Sequence, residues 1–228
     1  SITVAYAIDA GEVELMGKIG TTPTEIDRLC KRLRSKGRHI RVVYEAGPCG
    51  FVLQRHLSRL GFECQVVAPS LIPKRPGERI KTDRRDSLKL ARAARAGDLI
   101  AVRVPDAADE AMRDLCRARE DAVREQRNAR HRLKALLLRN DVRYDGKKKS
   151  WTAAHQRWLS TVKLAHAAQQ IAFQEYLHAI GESAARIDRL EQALREALSE
   201  WPLAPVVEAL QALRGVQLVA AITLVTEI

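Results

Sequence analysis

Aromatic side chains are scarce in this 228-residue chain: Phe, Trp and Tyr together make up 4% of it. A ring-rich core is therefore excluded, and Leu, Val, Ile and Ala must fill whatever is buried. Cysteine is equally thin. Cys30, Cys49, Cys64 and Cys116 form no CxxC and no Cys/His cluster, which excludes a recognisable zinc site and fits reduced thiols in a cytoplasmic protein. Cys49 stands beside Gly50 with no histidine placed by local sequence to activate it, so burial or chance accounts for it better than nucleophilic chemistry. No signal peptide and no long apolar run is present, which argues against a membrane partner.

What the chain has in excess is positive charge. Thirty-nine Lys and Arg face 28 Asp and Glu, for a net charge of +11 and a pI near 9.9. The excess is uneven. Residues 74–103 hold ten cations against four acids and residues 113–149 hold thirteen against six, whereas from Glu175 onward four cations face eight acids. A uniform solubility effect would not produce that skew. A polyanion meeting the first two-thirds of the chain would, with nucleic acid the foremost candidate.

Periodicity gives the organisation. Ile2–Ile8 and Val13–Ile19 alternate as strands around an Asp9-Ala10-Gly11 turn. A helix over 24–35, a strand over 39–46, a helix over 51–60 and a strand over 63–68 follow, an α/β order with parallel pairing expected across the crossovers. A basic, proline-containing loop leads to a helix ended by Gly97. Beyond Pro105 the chain turns helical: one long helix over 106–140, a second carrying Trp151 and Trp158 on one face to about residue 178, and a third over 182–198. Ile187, Leu190, Leu194 and Ala197 make a heptad-like stripe on the third, read either as a coiled-coil or dimer contact or as internal packing. Two apolar runs around Gly215 close the chain as a core helix pair or, more loosely, a phosphate-binding helix-hairpin-helix.

The densest chemistry lies in KTDRRDSLKLA, residues 81–91. Asp83 and Asp86 stand three apart, and on a helix both point the same way. Lys81, Arg84, Arg85 and Lys89 crowd the same turn, with Lys74, Arg75 and Arg79 just before it. Two converging carboxylates repel unless a hard cation such as Mg²⁺ holds them, and the flanking cations would then contact phosphate. The plainer reading is a helix start in which Thr82 caps and the aspartates complement the macrodipole. A third carboxylate, Glu45, ends an apolar strand before Ala-Gly-Pro-Cys-Gly, where functional side chains of α/β sheets collect.

YEAGPCGFVLQRHLSRLGF, VVAPSLIPKRPGERIKTDRRDSLKLAR and AREDAVREQRNARHRLKALLLR closely resemble the DEDD transposases of bacterial insertion sequences, the insertion-sequence-110 family, and the likeness runs from Ser1 to Ile228. The resemblance implies an α/β RNase-H-like (RuvC-like) nuclease domain at 1–104, an all-α helical or coiled-coil region at 105–200, and the start of a helical C-terminal transposase domain at 201–228. It implies Mg²⁺-dependent cleavage and joining of DNA and, in some members, an element-encoded guide RNA; the heptad-like stripe adds the expectation of a homo-oligomer through the helical region. Glu45, Asp83 and Asp86 match three of the family's four carboxylates as metal ligands, with the basic residues around them contacting nucleic acid. The family's first aspartate falls ahead of Ser1 and its catalytic serine beyond Ile228. Asp9 is a turn former and cannot replace the aspartate, and Ser150, Ser160, Ser183 and Ser199 match no serine motif. Both ends read as cut, so the chain is expected to be an inactive or nucleic-acid-binding piece of a transposase. A junction-resolving nuclease of the same RuvC-like type is the alternative.

Overall fold

Two strands of mixed burial, joined through the turn at Asp9, begin the chain as a hairpin. In the computed structural model, which describes residues 1–72, 82–146 and 150–227, β1 (Ile2–Tyr6) pairs antiparallel with β2 (Glu14–Ile19). The register shifts between Val4 and Ala5, whose partners are Gly17 and Leu15, so Met16 is the extra residue of a bulge and Gly17 takes the φ of +117° there. Asp9 turns the corner at φ +46°, a conformation that Asp tolerates better than most residues. It serves as a turn former.

The chain divides into two compact units, residues 1–104 and 105–228. In the first, Thr22 and Glu25 form a capping box for α1 (Pro23–Arg34), with Pro23 at the first helical position. β3 (Arg41–Glu45), α2 (Val52–Arg59) and β4 (Glu63–Val67) then make one crossover unit, and β3 pairs parallel with β4 from Arg41↔Glu63 to Glu45↔Val67. Cys30, Leu57 and Phe62 form the buried cluster between the two helices and this sheet, with Val42 and Cys64 packed against it. The outer edge of β4 is taken by the segment after α3 (Asp83–Ala96), where Val102 N–H donates to the Val66 carbonyl at 2.8 Å. Parallel pairing across a crossover is therefore present at β3–β4. The described strands form two separate two-stranded sheets, and β2 and β3 do not pair. α3 packs mainly on β1 and touches both β2 and β3.

In the second unit α4 (Ala107–Arg139) starts at an Asp106 cap and pairs with α6 (Ala167–Leu198). The pairing is antiparallel: Arg119 meets Glu191, Glu125 meets Arg186, and Leu133 and Leu137 share a cluster with Phe173. Between them α5 (Ala153–Thr161) is capped by Thr152. Two expectations fail here. Trp151 precedes α5 and does not share a helix face with Trp158, although both pack on the same cluster. The break expected near residue 180 falls at residues 162–166, because a glycine inside a long packed helix costs only about 1 kcal/mol against Ala. At the break, Val162 leaves the helix with ψ 129° and the Leu164 N–H donates to Gln170 Oε1.

The C-terminal half of the heptad-like stripe is used internally, whereas Ile187 and Leu190 are half-buried and outside that cluster. Leu194 is fully buried beside Met112, Cys116 and Trp201, with Ala197 packed on the same cluster. α7 (Ala204–Gln211) and α8 (Leu218–Glu227) flank Gly215, which sits at φ +90°, and they close that cluster through Val207, Ala221 and Ile222. They form a core helix pair. Trp201 donates its indole N–H to buried Asp109 at 2.9 Å, which ties the end of α6 to the first turn of α4. Gly181 is exposed within α6, and a Cβ added there would meet nothing within 4 Å. Gly181→Ala is accordingly expected to stabilise the unit by roughly 0.5–1 kcal/mol. A thermal midpoint raised by about 2 °C in a calorimetric scan would bear this out, and a lowered midpoint would contradict it.

Candidate carboxylate site and nucleic-acid interface

The start of α3 is built as a capped helix. Thr82 is extended and its hydroxyl accepts from Arg85 N–H at 3.3 Å. Asp83 and Asp86 fall in the first turn, where their charge favours the helix. The plain reading of the motif is thus physically realised, and it is compatible with a second role for the same carboxylates. Asp83 is exposed and accepts from Lys18 Nζ of β2 at 2.9 Å. That hydrogen bond, together with the charge of Lys18, holds the Asp83 carboxyl below its ordinary range. The bond is therefore intact above the usual carboxylate pKa and is lost as pH falls through the lowered value. So exposed a pair adds little stability.

Glu45 stands at the C-terminal end of β3, solvent-exposed, with no hydrogen bond or ion pair among the described residues. Asp86 is half-buried and likewise unpaired there. The fold brings α3 against β3, so the three carboxylates belong to two touching elements. They do not converge: among the described residues no group of three or more His, Cys, Asp or Glu side chains is placed to hold a metal ion. As they stand, Glu45, Asp83 and Asp86 do not by themselves fit a Mg²⁺ ion.

Arg84 and Arg85 are exposed on the first turn of α3, and Lys89 follows one turn later, half-buried. Lys74, Arg75, Arg79 and Lys81 lie outside the described residues. Cys49 is exposed, so burial does not account for it, and no histidine bonds to it. Cys64 is the opposite case, its thiol pushed up to about 11 by burial.

The basic region of α4 separates into two halves. Towards its N-terminus the arginines are engaged: Arg113 donates to the Thr226 carbonyl, Arg117 holds Glu227 through two bonds of 2.9 Å, Arg119 holds Glu191 and Arg124 holds Glu120 and Asp121. Beyond Glu125 the cations Arg127, Arg130, Arg132, Lys134 and Arg139 make no ion pair among the described residues. Counting charge along the sequence cannot separate these halves, because two of the acids that engage the first half, Glu191 and Glu227, come from α6 and α8. The Lys18–Asp83 bond was hidden for the same reason, spanning 65 positions with no local signature.

The family model for DEDD transposases of insertion sequence 110, described as Transposase, matches residues 1–140. The chain belongs to that family. It is 45% identical over all its 228 residues to "Putative transposase y4qE" of Sinorhizobium fredii, of which it covers 55%. It is 30% identical over 230 aligned residues to the transposase for insertion sequence element IS1533 of Leptospira borgpetersenii, of which it covers 66%. The chain thus spans a little over half to two-thirds of the curated relatives it matches. Among the described residues, no helix is long and apolar enough to cross a membrane.

Proposed function

We propose that the full-length protein is a DNA transposase of an insertion sequence that cleaves and joins DNA with Mg²⁺, and that residues 1–104 are its RuvC-like, RNase-H-type nuclease domain. The observation that carries this reading is the placement of Glu45 at the end of β3 and of Asp83 and Asp86 on α3, which touches that strand, in a family named for its carboxylates. Residues 105–200 serve as the helical region and residues 201–228 as the start of a C-terminal transposase domain. Glu45, Asp83 and Asp86 are assigned as metal ligands that need at least one further oxygen ligand to close the site, since Mg²⁺ demands near-octahedral oxygen coordination. Lys74, Arg75, Arg79, Lys81, Arg84, Arg85 and Lys89 are assigned to the phosphate backbone, where cations hold register without reading sequence. An element-encoded guide RNA and self-association through the helical region complete the proposal.

A second reading concerns the chain by itself and is favoured by the missing convergence of its carboxylates. It binds nucleic acid through the cations of α3 and the second half of α4 and does not recombine DNA. A junction-resolving nuclease is less well supported, because both relatives carry the word transposase in their names.

Purified full-length protein incubated with DNA bearing the element's ends tests the main reading. Joined products that appear with Mg²⁺ and vanish with a chelator are expected. Cleavage of four-way junctions without any joining of element ends would overturn it in favour of the resolvase.

A further inference from the structure

In the second unit a notch of about 290 Å³ opens between α4 and Trp151, lined by Val123, Gln126, Arg127, Arg130, His131 and Trp151. Its size is near the lower end of ligand pockets, enough for a planar ring and too small for an extended ligand. Its chemistry is one-sided: three of the six residues are cationic or can become so, and no acid lines it. Arg127 and His131 are exposed and make no ion pair among the described residues. The Arg130 guanidinium carbon lies 4.7 Å from the centroid of the Trp151 ring, so the cation is backed by an aromatic face. Its Nε is buried without a hydrogen-bond partner. Trp151 is itself held from behind, its ring 5.3 Å from that of His155, which in turn meets Tyr144 at 4.8 Å. The backbone of Trp151 sits at φ +70°, a region bulky residues avoid unless their surroundings enforce it.

We propose that this notch takes one unpaired nucleotide of a bound nucleic acid, its base stacking on the guanidinium of Arg130 that Trp151 backs and its phosphate held by Arg127 and His131. The inference rests on the nucleic-acid-binding part of the proposed function and adds a site to it. A planar guanidinium on an aromatic platform is a surface for the face of a base, which only an unstacked nucleotide presents. A paired duplex buries its base faces and offers only phosphate, which Arg127 and its neighbours would contact without preference. The site therefore selects for loops, bulges or single strands, whether of RNA or DNA.

The test measures binding of fluorescent oligonucleotides of one sequence, as single-stranded RNA, single-stranded DNA and blunt duplex, across a salt series, by the wild-type chain and by Arg130→Lys, Trp151→Phe and Arg127→Gln. Arg130→Lys keeps the charge and loses the plane, so single-strand affinity should fall roughly 10-fold while duplex affinity stays the same. Trp151→Phe keeps an aromatic backing and should retain most of the preference. Arg127→Gln removes one exposed phosphate contact and should reduce the slope of log K against log salt by about one for every ligand. Loss for RNA alone points to recognition of the ribose hydroxyl, and equal loss for both single strands to the base alone; either supports the site. An Arg130→Lys chain that binds single strand and duplex as the wild type does would overturn the notch while leaving general nucleic-acid binding intact. A wild-type chain that binds none of the three would overturn both.

Discussion

Replacing Phe173 by alanine is expected to cost the helical unit about 3–5 kcal/mol, the range for deleting a large buried ring. Phe173 has no exposed surface and sits where α6 meets Leu133, Leu136 and Leu137 of α4 and Leu159 of α5. Domains of this size hold only about 5–15 kcal/mol in total, so one ring is a large fraction of it. Ile171, two residues earlier on the same helix, is 65% exposed and is the natural control. Ile171→Ala should lie within about 0.5 kcal/mol of the wild type. Urea titration followed by circular dichroism distinguishes them: the midpoint should drop for Phe173→Ala with an unchanged slope. Equal midpoints for the two variants would contradict the assignment of the core.

The other large effect concerns activity. Glu45→Gln, Asp83→Asn and Asp86→Asn in the full-length protein should each lower recombination by at least about 100-fold, since an amide cannot supply the charge that a hard divalent cation requires. Glu45 and Asp83 are exposed, so the amides should leave the fold unchanged and the loss should belong to chemistry. Lys18→Met is the informative companion. Lys18 bonds to Asp83 and matches none of the assigned ligands, so removing it should leave activity within a few-fold of wild type. If Lys18→Met were as damaging as Asp83→Asn, the ion pair and not a metal-binding carboxylate would be what the site needs.

Much of this was readable from local pattern, and the parts that were not share a cause. The order of strands and helices in residues 1–104, the Asp9 turn, the Thr82 cap and the Gly97 stop each depend on neighbours within a few positions, and the structure has all of them. The break in the helical unit was misplaced because Gly181 carries a local penalty that long-range packing against α4 outweighs. Trp151 and Trp158 have helical spacing, yet Trp151 lies outside α5 at a positive φ. The site was legible as residue types and much less as geometry. Sequence could mark Glu45, Asp83 and Asp86 but could not say that Asp83 faces Lys18, or that the three stay apart among the described residues. It could locate the basic stretch of α4 but not which half remains unneutralised, because that depends on Glu191 and Glu227 arriving from elsewhere in the chain.

Excision of the element from a donor plasmid, scored by amplification across the resealed site, puts the central claim to its most direct test. Cells making wild-type or Lys18→Met full-length protein should yield the resealed product, and cells making the same amount of Asp83→Asn protein should yield none above background. Undiminished excision by Asp83→Asn would remove that carboxylate from the chemistry and with it the reading of α3 as part of the transposase active site.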